Sequence, residues 1–223
     1  MQQEGISKGD VLQKLAGLSF IAGAILLIVS NALFPRPADP SDAAQFVQKI
    51  ADSRGGFWEV DTLLLAVGIW AVMIGATGVY RSISTGGAAA WARLGYYGVI
   101  VGVTVWTVLL ALNLGLSQAV KLAGTDRAVQ VMAMTTSGVF SMSIIVLWLA
   151  LTFLGIGMVL SAVYPKWAGW AIIVLGVATV IVGILQGLGG PSKTVTNVLF
   201  PIVSILTTLW GLVLGIWITR KAW

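Results

Sequence analysis

Six long apolar runs separated by short polar segments dominate the chain. They lie at roughly residues 15–34, 60–80, 92–116, 138–163, 168–188 and 198–219. At a rise of 1.5 Å per residue, each is long enough to cross a hydrocarbon core about 30 Å thick. None has a strongly charged interior, and the glycine and β-branched content is normal for helices in lipid. The pattern predicts an all-α membrane protein, a bundle of six transmembrane helices in one domain spanning residues 1–223. Lys8 and Lys14 precede the first run as they would in a signal peptide. That run is longer than a signal core and lacks an Ala-x-Ala site before Pro35, so it reads as a retained helix.

The polar segments have structure of their own. In the loop after the first run, Asp39-Pro40-Ser41-Asp42 places a capping residue before a proline suited to a first helical turn. Phe46, Val47 and Ile50 then recur at helical spacing beside Gln45, Gln48 and Lys49. This predicts a short amphipathic helix over roughly 40–53, ended by Gly55-Gly56, with its apolar face on the outer membrane surface or against the bundle. A weaker example covers 128–134. A faint repeat joins Tyr80-Arg81 and Trp91-Ala92-Arg93-Leu94-Gly95 with Tyr164-Pro165-Lys166-Trp167-Ala168-Gly169. Shared demand for aromatic and basic anchors at one interface accounts for it as well as a duplication does.

Composition narrows the chemistry. Charged residues are 9% of the chain, where a soluble domain carries about 25%. There is no histidine and no cysteine, which excludes the usual zinc, haem and iron-sulfur ligation and all His- or Cys-based nucleophile machinery. No catalytic residue, metal ligand or resident cofactor is expected, although a bound lipid, quinone or carotenoid remains compatible. The hydroxyls of Ser141, Ser143 and Ser204 have no Lys or His to activate them, so an enzyme is not expected.

The net charge of +5 is scattered, with no basic stripe, so nucleic acid is not an expected partner. With the N-terminus inside, Lys8, Lys14, Arg81, Arg93, Lys166, Arg220 and Lys221 share one side with Glu4 and Asp10. Arg36, Lys49, Arg54, Lys121, Arg127 and Lys193 share the other with Asp39, Asp42, Asp52, Glu59, Asp61 and Asp126. The denser positive charge of the first set predicts a cell-membrane protein with both termini cytoplasmic.

Three sets of residues are candidates for function. Gly98 and Gly102, Gly183 and Gly187, and Gly211 and Gly215 form Gly-x-x-x-Gly pairs for close helix contact, within the bundle or with another subunit. Tyr80, Trp91, Tyr96, Tyr97, Tyr164, Trp167, Trp170, Trp217 and Trp223 gather at the inner interface as an anchoring belt. Trp70, Trp106, Trp148 and Trp210 instead fall near mid-span at about one depth. They read either as core fillers, with indole N–H groups on Thr104, Thr107, Thr207, Thr208 or a carbonyl, or as a slot for an apolar ligand. Asn31, Glu59, Asp61, Asn113, Gln186 and Asn197, with Gln118, lie toward the outer helix ends. They form either a polar vestibule or ordinary headgroup-depth polarity.

Lys14-Leu15-Ala16-Gly17-Leu18 at the start of span one, Asp42-Ala43-Ala44 and Ile50-Ala51 in the outer loop, and Trp58 to Asp61 before span two carry a family likeness. With these residues the layout resembles the six-helix bacterial and archaeal integral membrane proteins grouped as a domain of unknown function. The resemblance implies a fold and no activity.

A coupled transporter usually keeps an ionisable residue at the bilayer centre, and none is placed there. Pro201 lies only a turn inside span six, and neither a voltage-sensor arginine ladder nor a potassium-filter signature is present. The leading expectation is a non-catalytic membrane subunit or scaffold, its partners membrane lipids and other subunits or its own copies. A binder or facilitator for a lipid-like molecule comes second, and a small-solute transporter third.

Overall fold

The computed structural model describes residues 6, 9–53 and 56–223. Seven α-helices and one π-helical turn follow among them: α1 (Val11–Leu33), α2 (Ala43–Ala51), α3 (Phe57–Ser82), α4 (Gly86–Ala123), α5 (Arg127–Leu160), α6 (Lys166–Gly189), the π turn (Val195–Leu199) and α7 (Phe200–Ala222). All but α2 are long and apolar enough to span a bilayer, with the π turn counted into the last span. Every apolar run is thus a helix, and the chain is a multi-pass membrane protein. Lys8, Glu4, Arg54 and Gly55, which entered the charge and turn expectations, lie outside the described residues.

The helices overrun the hydropathy boundaries, most of all α4, expected over 92–116, and α5, expected over 138–163. Hydropathy marks the stretch that suits lipid, whereas the helical hydrogen-bond ladder runs on until something stops it. Between α4 and α5 the stop is Gly124, at φ +66°, followed by Asp126, whose carboxylate accepts the Val129 N–H at 3.0 Å. The weak amphipathic segment at 128–134 is therefore the beginning of α5, not a separate helix. With 38 residues, α4 is about 57 Å long and outreaches the hydrocarbon core.

The spans close into a ring. α1 packs on α3 and α7, α3 on α4, α4 on α5 and α5 on α6, while the seam between α6 and α7 is the thinnest. The start of α1 and the end of α7 lie on one face, where the Gly9 N–H donates to the Ala222 carbonyl at 3.0 Å. On this terminal face Tyr80 stacks on Tyr96 with ring centroids 4.7 Å apart, and Tyr164 lies 5.5 Å from Trp217. Burial pushes the Tyr164 phenol above its ordinary value, against the Ser82 hydroxyl that bonds it at 2.8 Å.

On the opposite face α2 lies against the bundle, one of the two expected settings. Val47 and Ile50 are buried with Trp58, Leu116, Val120, Val129 and Ala133, a small core separate from the main one. Its N-cap is Asp42, whose carboxylate accepts from the N–H groups of Ala44 and Gln45. Asp39 was the expected cap. It instead closes the preceding turn, accepting from the Ser41 N–H at 3.1 Å and hydroxyl at 2.6 Å, so Pro40 precedes the helix. The turn ahead of α3 falls at Gly56, at φ +77°.

Glycines sort by depth. Toward the terminal face backbones nearly touch: a Cβ on Gly102 would come within 2.7 Å of the Leu147 Cα, and one on Gly215 within 2.8 Å of the Gly17 carbonyl. Gly95, Gly98, Gly155, Gly157 and Gly169 are similarly confined. Toward the opposite face most glycines have room, with 3.5 Å at Gly115, 3.7 Å at Gly187, 3.8 Å at Gly211 and nothing within 4 Å of Gly138 or Gly189. Gly183, held by Ile144 and Ile145, is an exception, and so are Gly23 and Gly68, where α1 and α3 stay in close contact. Gly98, Gly102, Gly183 and Gly215 thus make the expected helix contacts, all within the chain. Gly187 and Gly211 do not, because the helices have diverged where they sit.

Candidate functional site

Divergence leaves space on the axis of the ring. A cavity of about 200 Å³ occupies the half of the bundle toward the opposite face. Phe20, Leu151, Trp210 and Gly211 lie at its deep end, and Trp106, Phe140, Trp148 and Phe200 form an aromatic wall. The wall is continuous: Phe140 lies 5.7 Å from Trp106 and 5.0 Å from Phe200, and Trp148 lies 6.3 Å from Trp106 and 6.1 Å from Phe200. The contacts of Phe140 with Trp106 and Phe200 and of Trp148 with Phe200 are edge-to-face and that of Trp106 with Trp148 is tilted, so the rings interlock around an apolar space.

Three of the four mid-span tryptophans, Trp106, Trp148 and Trp210, line this cavity. Trp70 does not. It is 46% exposed on the lipid side of α3 and donates to the Thr107 hydroxyl at 3.0 Å. Depth along a helix was legible, but the face was not, because an apolar ring suits lipid and cavity alike. The indole of Trp148 donates to Thr207 at 3.1 Å and that of Trp210 to the Ala168 carbonyl at 2.8 Å. The Trp106 N–H is buried without a partner.

The vestibule residues divide in the same way. Asn31, Asn113, Gln186 and Asn197 line the cavity. Glu59 instead clasps α3 to α4, accepting from the Ser117 hydroxyl at 2.6 Å and pairing with Lys121. Asp61 is buried between α1 and α3, accepting from the Ser30 hydroxyl, with its second oxygen unpartnered. Each carboxylate finds its donors on an adjoining helix, Glu59 on α4 and Asp61 on α1, which draws both acids away from the axis.

The segment before α2 covers the mouth. Arg36, Pro37, Pro40 and Phe46 line the cavity there, although the sequence singled out none of them for it. The Asn197 amide donates to the Pro37 carbonyl at 3.0 Å, and Lys193 pairs with Asp39 at 3.5 Å, so the cover is tied to the connection between α6 and α7. Hydrogen bonds from Ser41, with Lys193 nearby, hold the half-buried Asp39 carboxyl below its ordinary value, so it is ionised at neutral pH. Phe140 and Phe200 were likewise missed, since an isolated Phe in an apolar run carries no signal of what it faces.

Three hydroxyls of the lining are satisfied within their own helices, Thr136 donating to the Met132 carbonyl, Thr207 to that of Val203 and Thr208 to that of Ser204. Gln186 is different. It is 2% exposed, and neither its amide nitrogen nor its amide oxygen has a partner. Burying such a group unpaired costs about 1–3 kcal/mol. Among the described residues no cluster of His, Cys, Asp or Glu is assembled that could hold a metal ion.

Fold and cavity together define a six-helix integral membrane protein with an aromatic-walled space in the half of the bundle toward one face. The chain belongs to the family described as Domain of unknown function (DUF4386), which matches residues 15–222. No curated protein and no solved structure matches it.

Proposed function

We propose that this protein binds an elongated, mostly apolar membrane molecule, such as a lipid tail, quinone or carotenoid, on the axis of its helix ring. The observation that carries the reading is the cavity itself, apolar and aromatic in its depth and bearing neutral polar residues toward one end. A scaffold or accessory-subunit role draws on the absence of catalytic chemistry, on short connections and, in part, on helix-contact glycines available to a partner. Gly98, Gly102, Gly183 and Gly215 meet helices of the same chain, which removes the glycine part of that support, and the cavity gives the binding reading precedence. Small-solute transport has no buried charge on the axis to favour it.

For orientation, Lys14, Arg81, Arg93, Lys166, Arg220 and Lys221 belong to the terminal face and are opposed there, among the described residues, only by Asp10. This favours a cell membrane with the termini cytoplasmic and the cavity mouth outside.

Native mass spectrometry of protein purified in mild detergent tests the binding. A retained apolar molecule near one per chain is expected, and a Ser204→Leu, Gly211→Leu double variant, which fills the cavity, should lower its occupancy at least about fivefold. Equal retention by parent and filled variant would sink the proposal.

A further inference from the structure

The cavity's unpaired polar groups specify what its ligand carries at one end. Gly183 and Gly187, which flank Gln186 in α6, meet Ile144, Ile145 and Ser141 of α5. Gln186 therefore stands within about one turn of Phe140, whose ring rests on Trp106. Around this level two donors, the Gln186 amide nitrogen and the Trp106 indole, and two acceptors, the Gln186 and Asn197 amide oxygens, lack partners. Gln186 is 2% and Trp106 6% exposed, so bulk water does not serve them. All these groups are neutral. Among the described residues the only charged lining side chain is Arg36, exposed at the mouth and donating to the Asn31 carbonyl at 2.8 Å.

We propose that Gln186 recognises the head of the bound molecule, and that this head is uncharged and carries both a hydrogen-bond donor and an acceptor, as a hydroxyl beside a carbonyl does. The inference rests on the binding reading above and extends it to ligand class. An ionised phosphate, carboxylate or ammonium at this depth would meet no counter-charge and would lose its hydration uncompensated. A chain with no head would leave the amide unpaired. A neutral amphiphile satisfies donors and acceptors at once, its tail lying along Trp148 toward Trp210.

The test uses the full chain in phosphatidylcholine nanodiscs at pH 8, with radiolabelled 1-decanoylglycerol as probe and unlabelled 1-decanoylglycerol, decanoate and undecane as competitors, each corrected for partition into bilayer. The expected result is saturable binding that the glycerol ester displaces at a concentration at least about tenfold below either of the others, equivalent to about 1.4 kcal/mol. In Gln186→Leu the three competitors should come within about threefold of one another. That variant should also unfold at the same or a higher temperature than the parent without ligand, because leucine removes an unpaired amide. Undecane competing as well as the ester would overturn the head recognition and leave apolar binding standing. Decanoate competing best would overturn the neutral class. A preference unchanged in Gln186→Leu, or a lower unfolding temperature, would assign Gln186 a structural partner and overturn its role. Absence of saturable binding by all three would count against the cavity as a binding site altogether.

Discussion

Gly102 and Gly187 read alike in sequence, each half of a Gly-x-x-x-Gly pair, yet their surroundings differ by an ångström that decides their worth. A methyl on Gly102 would lie 2.7 Å from the Leu147 backbone, which cannot yield without parting α4 from α5. A methyl on Gly187 would meet its nearest neighbour at 3.7 Å, an ordinary contact. Gly102→Ala should accordingly destabilise the protein by about 1–3 kcal/mol, whereas Gly187→Ala stays within about 0.5 kcal/mol, compared by thermal unfolding in one detergent. Spacing reveals that two glycines share a helix face and is silent on how near the next helix comes. The same limit applied to Trp70 and Trp106: period and depth were readable, whereas the neighbour that makes one lipid-facing and the other a cavity wall is supplied by the fold.

At the scale of elements, α2 is held by few residues. Val47 and Ile50 are its buried side chains, and with only nine residues it has little helical stability of its own. Ile50→Ala should free the helix locally and raise the rate of protease cleavage within residues 35–53 about tenfold or more, while far-UV circular dichroism hardly changes. The amphipathic period of this helix was plain in the sequence, since Phe46, Val47 and Ile50 repeat at the right interval. Its cap was not, because Asp39 and Asp42 both have the chemistry, and only the observed turn shows that Pro40 lies before the first helical residue. The π turn at Val195–Leu199 carried no sequence signal apart from Pro201. The looser turn comes just before the position where the missing proline N–H would otherwise interrupt a regular ladder, and Pro201 falls in the first turn of α7.

For the whole molecule, six helices were legible because hydropathy is a local property summed over about 20 residues. Ring order and cavity were not, since they depend on which pairs of helices touch. The orientation argued from charge has a direct check in a chain that contains no cysteine. Single cysteines at Thr125, between α4 and α5, and at Gly87, on the terminal face, should react oppositely with a membrane-impermeant maleimide on intact cells. Thr125→Cys is expected to label at once and Gly87→Cys only after permeabilisation; the reverse pattern would invert the topology. The depth-sorted glycines bear on motion as well as shape. Helices α4 to α7, clamped near the termini and splayed beyond, behave like a tuning fork: their fluctuations share a stem near the termini and grow toward the tips, while α1 and α3 stay joined at Gly23 and Gly68. Amide hydrogen exchange should therefore run in a gradient along each of α4 to α7, slow at the stem and faster at the tips, in a direction that alternates with the course of the chain.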